Sequence, residues 1–161
     1  MSDRPWTRRL PSGDAPLFVY GTLQFPEVLI ELIGRAPQLD PAQVLGQRAA
    51  VLPDRVYPGL TSANDSVTQG FLLSGLTADE WQVLDAFEDD EYELRPIPVH
   101  AGDQDTYAWT YIWTDAVPPG EWSAQRFAAE HLADYITRCS TWRRDLLRPA
   151  TAQPVPERHN R

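Results

Sequence analysis

Leu17-Phe18-Val19-Tyr20-Gly21-Thr22-Leu23-Gln24-Phe25-Pro26 reads as a strand that breaks at a glycine and yields to a helix opening at Pro26. Four apolar or aromatic residues in a row suit a short buried strand. Proline at a first helical turn gives up only an N–H that has no partner inside the helix. Val28, Leu29, Leu32 and Ile33 then make one apolar face, and Gly34 stops the helix. The main chain from Gly21 to Leu23 is left between strand end and helix start, where free N–H groups and a positive dipole end favour a bound negative charge. Gly21 also has a plainer reading, as the residue that lets a tight turn form, and both stay open here.

Working outward, further strands are predicted near 44–52, 67–74, 93–100 and 106–113. In the last of these Tyr107, Trp109, Tyr111 and Trp113 share one face by period two, against Thr106, Ala108, Thr110 and Ile112 on the other. An aromatic face of this kind is core in most proteins, with Tyr111 placed to carry its hydroxyl to a pocket mouth. Pro96 and Pro98 remove two ladder donors, which predicts an edge or bulged strand over 93–100. A second helix opens with a capping box at Thr77 and Glu80, burying Trp81, Leu84 and Phe87. A third begins near Ser123 behind a Trp122–Phe127 staple. Its stripe of Phe127, Ala128, His131, Leu132, Tyr135, Ile136 and Cys139 reads as scaffold, with His131 a core histidine. Strands outnumber helices and do not alternate with them, which predicts an α+β fold: a mostly antiparallel, curved sheet or small β-barrel with flanking helices.

The 161 residues suit one domain, placed at 16–147 between a flexible N-terminal segment, 1–15, and a flexible tail, 148–161, both without apolar periodicity. A net charge of −9 and a pI near 4.7 speak against a nucleic-acid partner, which demands clustered Lys and Arg. No stretch approaches the ~18 apolar residues of a membrane span, and Met1 to Asp14 lacks a secretion signal's apolar middle, so a cytoplasmic location is expected. Cys139 is the sole cysteine, and His100 with Asp103 and Asp105 has no convincing ligand spacing, so no metal is predicted.

Among the acids of Leu84-Asp85-Ala86-Phe87-Glu88-Asp89-Asp90-Glu91-Tyr92, Glu88 stands out. Continued at helical spacing it lies about 20° from Trp81 and about 40° from Leu84, pointing inward, where lost hydration raises a carboxyl pKa toward proton-transfer range. The alternative is a solvated helix end, with Glu88 paired to Arg95. Asp85 is placed as a cap or loop holder rather than as half of a glycosidase-like pair, since both acids sit on one helix.

With these residues in view, the chain resembles the γ-glutamylcyclotransferase-like family, and within it the AIG2-like branch. The likeness rests on Tyr20-Gly21-Thr22-Leu23, on Tyr57-Pro58-Gly59-Leu60 and Gly70-Phe71-Leu72, on Leu84-Asp85-Ala86-Phe87-Glu88 followed by Tyr92-Glu93-Leu94-Arg95, and on Tyr111-Ile112-Trp113 with Trp122, in that order. The resemblance implies a small mixed barrel flanked by helices. It further implies a cofactor-free reaction in which the α-amine of a γ-glutamyl group attacks its own γ-carbonyl, giving 5-oxoproline and a free amine. By that likeness Glu88 is the general acid/base, and Tyr20 to Leu23, with Gln24 and Phe25, hold the γ-glutamyl part; Tyr111 joins the expected binding set. The family often carries glycine after the catalytic glutamate, whereas here Asp89-Asp90 follows, a change expected to raise the Glu88 pKa or to repel anionic substrate ends. A small-molecule γ-glutamyl substrate is thus the expected partner, the oligomeric state being open. A non-catalytic binding or interaction domain on the same fold is the alternative function, and removal of a γ-glutamyl cap from a biosynthetic intermediate is a variant of the first.

Overall fold

The computed structural model describes residues 15–147; the expected flexible ends, 1–15 and 148–161, lie outside the described residues except for residue 15. Five strands, β1 (Leu17–Val19), β2 (Leu39–Ala50), β3 (Gly59–Leu73), β4 (Tyr92–Ala101) and β5 (Gln104–Trp113), close a barrel in the order β1-β3-β2-β4-β5. Around it lie α1 (Pro26–Ile33), α2 (Ala78–Phe87), α3 (Ala124–Glu130) and α4 (Leu132–Leu147). The long ladders β2–β3 and β4–β5 and the short β1–β3 pairing are antiparallel. β5 meets β1 in parallel at Leu17↔Trp109 and β3 at Leu60↔Ile112, which makes the barrel mixed.

Strand alternation divides the apolar residues between two clusters. Phe18, Tyr20, Val44, Leu60, Leu72, Val99 and Ala108 pack together as one. The residues between them, Leu17, Val19, Leu73, Tyr111 and Trp113, join a larger cluster with α1, α2, Phe127, Tyr135 and Cys139. The aromatic face of β5 belongs to this second cluster, except at its start, where Tyr107 is exposed.

Several boundaries differ from the sequence reading, each for a physical reason. β2 and β3 begin earlier than predicted. Pro41 masks the start of β2, while Gly46, in the left-handed region at φ 79°, opposes residues 63–66, where the register jumps from Leu45↔Val67 to Gln47↔Ser62. β4 keeps its full ladder with β5 despite Pro96 and Pro98, but meets β2 only at Gln43↔His100. The third helix is two: α3 ends at His131, with φ −130°, and α4 restarts at Leu132. His131 is not a core residue as predicted; its side chain is 44% exposed, beside Glu130 and the Phe127 ring. The predicted caps form. Thr77 and Glu80 close their box, Ser123 accepts from the Arg126 N–H, and the Trp122 and Phe127 rings meet at 5.6 Å. Gly34 ends α1 at φ 81°.

Candidate active site

One cavity of about 470 Å³, its open mouth included, lies where the end of β1 meets the end of α2. β1 is its floor. One wall is Tyr20–Leu23 and the opposite wall is Phe87-Glu88-Asp89 with Tyr92; Tyr57, Pro58, Tyr111 and Tyr135 complete it. None of the lining residues is Lys, Arg or His.

The Gly21 wall is a single 3-10 turn, Thr22–Gln24, placed between β1 and α1. The N–H groups that open such a turn have no partner within it. α1 itself starts beyond Phe25, so the turn rather than the α1 N-terminus faces the cavity, a correction to the sequence reading. Gly21 is not in the left-handed region, at φ −118°. Glycine is required there because a Cβ would stand 2.9 Å from Pro58 Cδ. Thr22 is buried and donates to the Tyr135 hydroxyl at 3.3 Å, tying the turn to α4. Gln24 and Phe25 lie outside the cavity wall: the Gln24 amide donates to the Tyr20 carbonyl at 2.7 Å, and the Phe25 ring packs on Phe127 at 5.4 Å.

Glu88 reaches the cavity by a route that helical geometry does not describe. α2 stops at Phe87, and Glu88 is its C-cap in extended conformation, φ −79° and ψ 146°, with its N–H on the Asp85 carbonyl at 3.2 Å. Arg95 lies exposed on β4, its guanidinium on Glu93 at 2.6 Å. Asp85 is fully buried inside α2 and accepts from the Tyr111 hydroxyl at 2.9 Å. Tyr111 lines the cavity, and its hydroxyl, expected at a pocket mouth, is bonded to α2 instead.

Three buried phenols surround Glu88. Tyr20 donates to the Tyr111 carbonyl at 2.6 Å and accepts from the Leu60 N–H at 3.2 Å. Burial, and after it the negative charge of Glu88, pushes its hydroxyl far above the ordinary phenol range. Tyr92 donates to the Pro58 carbonyl at 2.5 Å and is raised by burial, then by Tyr20 and Glu88. Tyr135 is raised by burial, then by Cys139, with Glu88 contributing less. Phenols held neutral in this way are donors and apolar walls, not bases. The carboxyl groups lining the cavity are those of Glu88 and Asp89.

The charge of Asp89 is not left bare. Its Oδ2 accepts from the Tyr57 hydroxyl at 2.5 Å and from Arg55 Nε at 3.3 Å. Burial lowers the Arg55 pKa, but Tyr57 and Asp89 outweigh it, so the guanidinium is held as a cation. Asp90, the second added acid, is exposed.

A family model described as gamma-glutamyl cyclotransferase, AIG2-like, matches residues 17–124. The chain belongs to this family. AIG2-like protein C of Arabidopsis thaliana is 35% identical over 126 residues, 75% of this chain and 73% of that protein. AIG2-like protein D of the same plant is 30% identical over 139 residues, 83% and 91%. A solution structure of an Arabidopsis thaliana protein, 28% identical, superposes with a TM-score of 0.61 over 86% of this chain and 97% of its own. A solved gamma-glutamyl cyclotransferase shares the fold, at a TM-score of 0.54 and 12% identity over 79% and 86%. The closed mixed barrel with its four helices is the fold of this family.

Tyr57, Pro58, Phe87, Asp89, Tyr92 and Tyr135 line the cavity without having been singled out as site residues from sequence. Tyr57-Pro58 and Tyr92 were visible as family motifs. Tyr135 was hidden in an apolar stripe, where a phenol hydroxyl among aliphatic neighbours was its one signal. Among the described residues no group of three or more His, Cys, Asp or Glu gathers as for a metal; His100 pairs with Asp105 at the β4–β5 turn.

Proposed function

We propose that the protein is a γ-glutamylcyclotransferase that converts the γ-glutamyl group of a γ-glutamyl amino acid, peptide or amine to 5-oxoproline. Glu88 takes a proton from the substrate's α-ammonium. The freed amine attacks the γ-carbonyl and a C–N bond closes the ring. Glu88 hands its proton to the original amide nitrogen and takes the second proton that the ring nitrogen must lose. The bond from the tetrahedral carbon to the original nitrogen breaks, and the amine leaves and gains that second proton to depart as an ammonium, the lactam keeping one N–H. The main-chain N–H groups of the Gly21–Leu23 turn hold the negative end of the γ-glutamyl part. Nucleophile and electrophile share one molecule, so folding the substrate into ring-closing geometry supplies much of the acceleration, and one proton carrier with a few aligned donors is enough.

One observation carries this reading: residues about sixty-five positions apart, the Gly21 turn and Glu88, face a single cavity whose other polar groups are neutral phenols or an acid already bonded to arginine. Membership of the family supports it independently. The test is 5-oxoproline release from purified protein offered γ-glutamyl amino acids and γ-glutamyl-ε-lysine, with Glu88→Gln alongside. Product from the wild type and not from the variant supports the enzyme. Binding of a γ-glutamyl ligand with no product from any donor would make the chain a small-molecule binding domain instead.

A further inference from the structure

Between β2 and β3, residues 53–58 touch both walls of the cavity through adjacent side chains. Pro58 presses on Gly21, and its carbonyl takes the Tyr92 hydroxyl. Tyr57 bonds Asp89, the residue after Glu88, and Arg55 bonds the same carboxylate oxygen. Arg55 is itself braced: Nη1 donates to the Pro53 carbonyl at 3.2 Å, Nη2 stands 3.7 Å from Glu91, and the guanidinium lies 5.1 Å from the centre of the Trp113 ring. Its side chain is 27% exposed, that of Asp89 only 12%.

Glu88 is the residue next to this brace. It stands beyond the last residue of α2 and before the first of β4, in a connection that belongs to neither helix nor ladder. The main chain is tied on either side, by Glu88 N–H to Asp85 and by Tyr92 N–H to the Asp89 carbonyl, both at 3.2 Å. Those bonds set the turn's path. The carboxylate at the next residue, held by a phenol and a guanidinium from another loop, adds a side-chain tie to that path. An unneutralised Asp89 would also disfavour ionisation of Glu88, because like charges in contact raise each other's pKa.

We propose that Arg55, Tyr57 and Asp89 form a positioning unit for Glu88: they fix the extended segment that presents its carboxylate to the cavity, and Arg55 neutralises the adjacent Asp89 charge. The proposal rests on the cyclotransferase reading for its kinetic consequences and on geometry alone for its structural one. The titratable groups facing Glu88 are Tyr20 from β1, Tyr57 and Arg55 from the β2–β3 loop, Asp89, Tyr92 from β4, Tyr111 with Asp85 behind it, and Tyr135 from α4. Of these only Arg55 and Asp89 can be altered in charge without removing a ring or a buried helix group.

Arg55→Met, Arg55→Lys and Asp89→Asn separate positioning from mere stability. In Arg55→Met the exposed Asp89 charge should carry the acidic limb of the kcat/KM profile to higher pH. In Asp89→Asn, with the cation retained, the limb should move to lower pH, and in Arg55→Lys, where the charge beside Asp89 is kept, it should stay nearer to wild type than in Arg55→Met. Both charge-altering variants should lose up to about 10²-fold in kcat, with KM changing less. Limbs that stay put in both, with activity tracking Tm alone, overturn the proposal. If Asp89→Asn does not fold, Arg55→Met against Arg55→Lys decides by the same criterion. Titration of the Glu88 carboxyl by ¹³C resonance in the same proteins reads the positioning claim without turnover. Should the wild type form no 5-oxoproline, the functional reading fails, and the opposed shifts of that resonance still uphold or overturn the brace.

Discussion

The two walls of the cavity are built on opposite principles. The Gly21 wall is main chain: a 3-10 turn closed against Pro58, with no charged side chain and a glycine that cannot accept a Cβ. The Glu88 wall is side chain: an acid on one extended residue, directed by bonds from Tyr57 and Arg55 to its neighbour. Steric packing holds the first and electrostatics the second. The Gly21 wall should therefore respond to volume and hardly to pH, and the Glu88 wall to charge and hardly to volume.

The largest effect should come from Glu88→Gln, which keeps the shape and removes the base. Turnover should fall by ~10²–10⁴-fold while Tm and affinity for a γ-glutamyl ligand change little, as read by 5-oxoproline assay, thermal melting and calorimetry. A large loss of stability instead would mean that the acid is structural and that the second wall is misassigned. Gly21→Ala is the counterpart on the first wall. Its Cβ at 2.9 Å from Pro58 must push the turn outward, at a cost of about 1–3 kcal/mol for overpacking and up to about 10²-fold in activity. The variant's pH profile should keep the wild-type limbs. If the limbs move, the two walls are not independent.

The same contrast explains what could be read before the fold was known. The Gly21 wall follows from contiguous residues, because strand, glycine and Pro26 occur within ten positions, and α1 was delimited correctly. Its contact with Pro58 is non-local and gave no local signal, so the reason for the glycine was missed. The inward direction of Glu88 was anticipated through helical periodicity, yet the helix ends one residue earlier, and the direction comes from an extended cap. The additional charge of Asp89-Asp90 could be seen in the chain, whereas its neutralisation depends on Arg55, thirty-four residues away. The barrel was legible as a count of strands. Its bulged β2–β3 register was not, since residues 61–66 are small and, apart from Ala63, polar, without alternation.

Tyr20 joins the two principles, as a phenol on the main-chain wall whose hydroxyl holds β3 and β5 beneath it. Tyr20→Phe leaves the Leu60 N–H and Tyr111 carbonyl without that partner and should cost about 1–3 kcal/mol by urea unfolding, with a smaller loss of kcat than Gly21→Ala. Tyr20, Tyr92 and Tyr135 also set an alkaline limit. Up to about pH 10 their phenols are protonated in both states and add no slope. Above it the unfolded chain releases protons that the folded chain retains, because all three are raised, so stability must fall as pH rises. Unfolding followed from pH 8 to 11 should show that decline, and Tyr20→Phe should flatten it. An unchanged slope in the variant would mean that Tyr20 ionises freely in the folded protein.

The smallest effect discriminates most finely. Thr77→Ala opens the capping box at the far end of α2, where Thr77 Oγ1 accepts from the Glu80 N–H at 3.1 Å and Glu80 returns a bond to the Thr77 N–H at 3.0 Å. Loss of such a cap costs about 0.5–2 kcal/mol, and Glu80 keeps its fork to Arg35, so fraying should stop within the first turn. Glu88 caps the other end of the same helix. If α2 as a rigid rod directs the acid, loosening one end should reach the other and lower kcat with stability. If the direction is set locally, by Asp85 with Tyr111 and by Asp89 with Tyr57 and Arg55, kcat per folded molecule should stay within about twofold at temperatures well below Tm, an expectation that follows from the helix-end effect being confined to its own turn. The local ties join α2 to β5 and to the β2–β3 loop rather than to its own N-terminus. Thr77→Ala should therefore lower Tm and leave turnover alone, while Asp89→Asn should lower turnover by more than its loss of Tm accounts for.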